Sequence, residues 1–304
     1  MRIRIQPWQL AILVVALCAA AIWFVRWRKL AEPYDAPQLF SALPGSAGTL
    51  LFVDVAKLRN GGILDLLAGS KAVEERDYRN FVEQTGFDYR TDLDAIAAVY
   101  VSGEVYLAVR GRFDWPQLSA YARSQGGRCQ YTICTMPATS PERNISFYPI
   151  RRDVLALAVT IEERGVTIIS PGQSKPRNVP PEPVWLRAPR EALHASESLP
   201  AGVQLLLAPL GDAQSVELSA GPGKNGLRLR AEVALPSAKA AETLSQQFQS
   251  LTDALRRMSA KSAGAADLAG LLAKGSMEQK DSLVVAEWPL DAEFLKALAS
   301  DRSQ

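Results

Sequence analysis

Histidine is the scarcest reactive residue in this sequence. Among 304 residues only His194 carries an imidazole. Serine or cysteine hydrolysis of the triad kind needs such a base, and His194 sits in "PREALHASESLP", a polar stretch that reads as a short solvated helix. Zinc sites built on two or more histidines are excluded by count. Cysteine is nearly as rare. Cys18 falls in an apolar run, while Cys129 and Cys134 stand five apart in "GGRCQYTICTMP", with no further Cys or suitably spaced His to complete a metal site. In one continuous strand a spacing of five puts the two on opposite faces. The preferred reading is therefore two small, half-buried residues of a single strand. A disulfide needs a tight turn through Tyr131 and Thr132 instead.

Blocks of like charge are missing too. The formal charge of +2 arises from Arg2, Arg4, Arg26, Arg28 and Lys29; beyond them 29 basic residues face 32 acidic ones, a balance of −3. Nucleic-acid binding calls for a basic face to neutralise phosphates, so no nucleic-acid partner is expected. Other motifs fail on their spacing. "SAGPGKNGLRL" is the richest glycine stretch, yet Asn225 follows the lysine and a strand follows the loop, which describes a hairpin tipped by Asn225-Gly226 rather than a phosphate loop. Asp88, Asp92 and Asp94 in "GFDYRTDLDAI" miss the EF-hand pattern and read as a helix start capped by Thr91 or Asp92. The adjacent pairs Glu74-Glu75 and Glu162-Glu163 diverge on either helix or strand and read as solvated surface. No catalytic, cofactor-binding or metal-binding residues are assigned.

What is present is an apolar run, Gln9 to Val25, in "QLAILVVALCAAAIWFVRWRK". Its length of about 17 residues spans roughly 26 Å as a helix, the short end of what crosses a bilayer. Trp8 stands at one end, with Trp23 and Trp27 at the other, where amphipathic rings favour the headgroup level; Arg26, Arg28 and Lys29 complete the flank. The rival is a signal peptide cut at Ala19-Ala20-Ala21, which would leave an apolar terminus beginning Ile22-Trp23-Phe24-Val25. A lipoprotein would want a small residue before Cys18, where Leu17 stands. The anchor reading prevails. Basic residues flank both ends almost equally, but the short N-terminal tail favours an inside N-terminus and an exported C-terminal region.

Beyond residues 1–29, the anchor with its basic flanks, the expected organisation is a stalk at 30–40, a first α+β domain at 41–170, a proline-rich linker at 171–189 and a second α+β domain at 190–304. Thr49 to Val55 reads as a buried strand, and a helical region follows that stops at Gly86. A hairpin turns at Ser102-Gly103. A helix opens on Asp114 with Pro116 in its first turn and halts at Gly126-Gly127. Strands are expected at 128–135, 145–150, 154–160 and 166–170. Six prolines between Pro171 and Pro189 mark the boundary, because proline removes ladder donors. The second half echoes the first: "SLPAGVQLLLAPL" parallels "ALPGSAGTLLFVDV", and each half has a strand leading through proline into a helix. In the later helix Leu244, Phe248, Leu251, Leu255 and Met258 form one stripe, either core or partner-facing. The chain closes with a strand at 282–288 and a helix opened by Asp291. Hairpins with single helices argue for antiparallel sheets with helices on one face, two related domains for which the ferredoxin-like sandwich is one candidate.

The segments "LPGSAGTLLFVDVAKLR", "FVEQTGFDYRTDLD" and "GEVYLAVRGRFDWPQL" resemble a group of uncharacterised bacterial proteins with one N-terminal transmembrane helix and an α+β extracytoplasmic region. That resemblance covers mainly the first half and implies a membrane-tethered domain, with no catalytic residues to carry over. The expectation is a non-enzymatic, single-pass protein of the cytoplasmic membrane, its lipid contact at residues 9–25 and its C-terminal region binding another envelope protein. Alternatives are a binder of an apolar or lipid ligand between the domains, or a carboxylate-based envelope enzyme.

Overall fold

Alternating burial organises the chain into strands. In β1 (Thr49–Asp54) every second residue is buried, and β2 (Leu93–Val101) begins with the same alternation. The structure, a computed structural model, describes residues 34–45, 48–64, 76–175, 177, 179–194, 210–223, 226–259, 271 and 273–291. The apolar run with its flanking Trp8, Trp23, Arg26, Trp27, Arg28 and Lys29 lies outside these residues, as do Glu74-Glu75, most of "SLPAGVQLLLAPL" and the closing helix. Among the described residues no helix is long and apolar enough to cross a membrane.

The first half continues with β3 (Glu104–Gly111), β4 (Arg128–Gln130), β5 (Ile133–Pro137), β6 (Asn144–Arg151) and β7 (Val154–Thr160). The second contributes β8 (Val184–Pro189), β9 (Ser215–Gly223), β10 (Gly226–Ala234), β11 (Ser276–Lys280) and β12 (Leu283–Asp291). All twelve join one antiparallel sheet in the order β11-β12-β10-β9-β8-β1-β2-β3-β7-β6-β5-β4. The α+β class with helices packed on an antiparallel sheet is what the sequence implied.

The helices are α1 (Ala36–Ala42), α2 (Val55–Asn60), α3 (Arg76–Thr85), α4 (Tyr89–Asp92), α5 (Trp115–Ser124), α6 (Arg190–His194) and α7 (Ala238–Ser259). On one face α2 to α5 cover the first half, where Leu58, Phe81, Leu118 and Ala122 meet Ile96, Val109, Phe147 and Leu155. Register places α7 on that same face of the second half, over Val216, Val233 and Val284. The opposite face of the first half carries α1, whose Phe40 ring meets Phe52 at 6.3 Å and Trp185 at 5.9 Å. In the second half that opposite face is charged: Arg187 pairs with Glu217 at 3.4 Å, and Arg230 with Glu232 at 2.6 Å and Glu287 at 3.2 Å. An antiparallel sheet tolerates one polar face in this way.

Four expectations need correction. Residues 171–189 are not a linker between two domains: β8 lies within them and bonds to both β1 and β9, so Ala36–Gln304 forms one compact unit. The prolines sit before the strand and at its last position, where no ladder donor is lost. The expected stalk contributes core, because Leu39 and Phe40 are fully buried. A ferredoxin-like sandwich keeps its helix-linked strands apart, whereas β1 pairs directly with β2. Finally, 166–170 forms a 3₁₀ turn (Gly165–Ile168) in place of a strand.

Candidate functional site

Helix α7 starts where Pro236 halts the preceding chain and Ser237 Oγ accepts the Ala240 amide at 3.2 Å. Its first turns are anchored: Ala241 and Leu244 are buried against Val233 and Val284, and Phe248 packs at their margin. Two side-chain bonds fix its direction. Gln279 Nε2, near the end of β11, donates to the Ala238 carbonyl at 3.0 Å, and Arg256 Nε donates to Ala273 O at 2.8 Å just before β11 begins. The helix therefore runs antiparallel along the edge strand. Twenty-two helical residues span ~33 Å, whereas five strand residues span only ~17 Å. The later turns of α7 outrun the strand beneath them.

The mismatch leaves a groove of about 390 Å³. Phe248, Leu251 and Thr252 form its helical wall, Met277 its strand wall, and Trp288 of β12 lies against both. Leu251 is 41% exposed although it continues the buried stripe of Leu244 and Phe248. The Asp253–Arg256 pair, 3.3 Å apart, sits at the rim. A Cβ at Gly275 would run into the Trp288 indole, which would have to shift. Gln249 and Ser276 complete the lining, so apolar and polar side chains share the trough, as in ligand sites where a few polar groups fix orientation. The stripe itself was legible in the sequence. That Leu251 within it lies exposed was not, since strand length depends on the partner strand. The side chains of Leu255 and Met258 lie outside the described residues.

The three aspartates of "GFDYRTDLDAI" are drawn together, each by an arginine. Asp88 binds Arg90 at 2.6 Å, Asp92 binds Arg112 at 3.0 Å, and Asp94 faces Arg59 at 3.7 Å. Arg59 also donates to the carbonyls of Arg90 and Leu93, and Arg112 to that of Thr91. Asp88, not Thr91 or Asp92, caps α4 by accepting the Arg90 amide at 2.9 Å. The Arg90 hydrogen bonds, resisted by partial burial, hold the Asp88 carboxyl down to about 2. Burial and the 2.7 Å bond to Asp88 push the Tyr78 phenol up. The cluster is a brace between α2, α4 and β2. Among the described residues no group of three or more His, Cys, Asp or Glu could hold a metal ion.

Elsewhere shifts follow the same logic. Burial, then a hydrogen bond to Glu104, raises Tyr106; the bond to Glu232 raises Arg230. None of these residues lines the groove. Glu163 pairs with Arg128 at 2.6 Å. His194 ends the short α6, as expected. The glycine stretch joins β9 to β10 as the expected hairpin, but Gly226 pairs with Gly223 inside the ladder instead of forming the tip with Asn225; Lys224 and Asn225 lie outside the described residues.

Cys129 and Cys134 are corrected. They form a disulfide across the β4–β5 hairpin, their Cα atoms 4.0 Å apart. The stretch expected as one strand at 128–135 is broken by a two-residue turn, with Tyr131 at φ +54°. The pair flanking such a turn, Gln130 and Ile133, is the hydrogen-bonded one, so Cys129 and Cys134 occupy the closer, non-bonded position. Alternation within a single strand was the wrong geometry, because a hairpin sets partners opposite one another.

The chain matches no protein-family model, and no curated protein matches it. Solved structures do resemble it. Crystal form I of TP0453 is 12% identical with a TM-score of 0.50, over 90% of this chain and 98% of that one. Crystal form III of the same protein is 14% identical at the same TM-score, over 88% and 98%. At that identity the likeness concerns the fold alone.

Proposed function

We propose that this chain is a membrane-tethered, non-enzymatic binding module whose residues 36–304 face the periplasm and engage another envelope protein through the groove between α7 and β11. The observation that carries the compartment is the Cys129–Cys134 disulfide, since disulfides persist in oxidising compartments and are rare in the cytosol. It favours the orientation that flanking charge left nearly balanced, with the N-terminus inside and the span at residues 9–25. The binding role draws on the groove, where Leu251 stays exposed beside Phe248 and Met277. The non-enzymatic reading draws on the shifted acids, phenols and guanidinia, which are engaged with one another away from that groove.

Thiol labelling tests the placement. In a Cys18→Ala background, a membrane-impermeant maleimide on intact cells should modify nothing before reduction, and Cys129 after it. Free thiols at 129 and 134 in the untreated protein would overturn the reading. Resistance to carbonate extraction, with Met1 to Val25 retained in the intact mass, tests the anchor separately.

A further inference from the structure

We infer that β11 is a strand-addition site, and that the partner it takes is an extended protein segment with an apolar side chain at alternate positions. The inference rests on the binding reading above and names the occupant of that groove.

Three observations converge. First, β11 ends the sheet and, among the described residues, pairs only with β12. The pair flanking the two-residue turn Asp281-Ser282 is Lys280 with Leu283, which must be hydrogen-bonded. Alternation then points the backbone groups of Met277 and Gln279 away from β12. An outward row of donors and acceptors at strand spacing fits an extended peptide, not a helix or a compact ligand.

Second, the groove lies along this edge, on the face toward which Met277 and Gln279 project. An added strand would alternate its side chains, one set entering between Leu251, Phe248 and Met277, the other pointing to the charged face. Third, the trough is held open at both ends. Gln279 ties the strand to the start of α7, and Arg256 ties the later turns to Ala273 and Gly275, so the walls are set before any partner arrives. Preorganisation of this kind spares a partner the cost of ordering the site. The opposite edge strand, β4, has only three residues.

The test uses the full chain in detergent micelles and a phage-displayed library of random peptides, about twelve residues each, the length of a typical strand with margins. Selected peptides should carry apolar residues at alternate positions and slow hydrogen exchange at the Met277 and Gln279 amides. Their affinity should fall about tenfold or more with Leu251→Arg, the loss expected of a central anchor. Leu251 is exposed enough for that variant to fold, and a thermal melt matching the parent confirms it. N-methylation of alternate peptide amides discriminates the mode: the set facing β11 should abolish binding, the other set should not. Failure to enrich any peptide, or peptides indifferent to both changes, overturns strand addition. Peptides lost with Leu251→Arg yet tolerant of every N-methylation would also overturn it, while leaving the groove as a binding surface intact.

Discussion

The two ends of the sheet are built alike and finished differently. Each closes with a two-residue hairpin whose first turn residue is left-handed, Tyr131 at φ +54° and Asp281 at φ +51°. Each edge strand follows a glycine with no room for a side chain, Gly127 and Gly275. Each lies beside a helix on the same face. At the β4 end the ten-residue α5 matches its strands, Leu118 and Ala122 reach the core, and a disulfide locks the hairpin. At the β11 end the helix is twice as long, and it is tethered by Gln279 and Arg256 with a trough beneath it. One end is locked by a covalent bond; at the other, among the described residues, Leu251 stays exposed beside the edge strand.

The largest effect that bears on this contrast lies within α7. Leu244→Ala should destabilise by about 2–5 kcal/mol, as core truncations do. Leu251→Ala, two turns on along the same stripe, should stay within about 0.5 kcal/mol. Denaturant titration of the solubilised chain reads both, and equal losses would mean that the groove is closed in solution.

The glycines come next. At Gly127 a Cβ would strike the Thr135 and Ala122 carbonyl oxygens, which are backbone; at Gly275 it would strike the Trp288 ring, a half-buried side chain that can shift. Gly127→Ala should therefore approach the top of the ~1–3 kcal/mol range for overpacking, and Gly275→Ala the bottom. The reverse order would show that the groove end is the more rigid one.

Removing the disulfide by Cys129→Ala with Cys134→Ala should cost about 2 kcal/mol, the closure entropy of so short a loop. The loss should appear as faster hydrogen exchange in β4 and β5, with β11 and β12 unchanged. Exchange that quickens at both ends would mean the sheet responds as a whole.

The smallest expected effect concerns pH. Asp88 is held down to about 2 from an ordinary 3.8, so its contribution is complete above ~pH 4 and is lost as pH falls toward 2. Asp88→Asn should lower the melting temperature near neutrality, and the gap from the parent should close over that acid window. A gap that persists at pH 2 would assign the effect to the lost cap on α4 rather than to the charge.

Much of the first half was legible. Asp114 with Pro116 specified the start of α5, Ser102-Gly103 the β2–β3 turn, and Gly86, at φ +68°, the end of α3. These are local signals, decided within a few residues by caps and by backbone angles that only certain side chains adopt cheaply. The errors were of another kind. The prolines around β8 resembled a boundary because nothing local reveals that Val184 to Arg187 pair with Leu50 to Val53 across more than a hundred residues of sequence. Cys129 and Cys134 were misjudged for the same reason on a shorter scale.

By itself, the sequence determined the helix caps, the turns, the amphipathic stripe of α7, and the scarcity of imidazole that removes the commonest catalytic bases. These follow from side-chain chemistry and the short-range geometry of the backbone. Tertiary structure alone decided that the two halves share a single sheet, that three aspartates are spent on three arginines, and that Leu251 of the stripe lies exposed beside the edge strand β11. Each depends on which distant strand becomes a neighbour, and that is settled by burial summed over the whole fold.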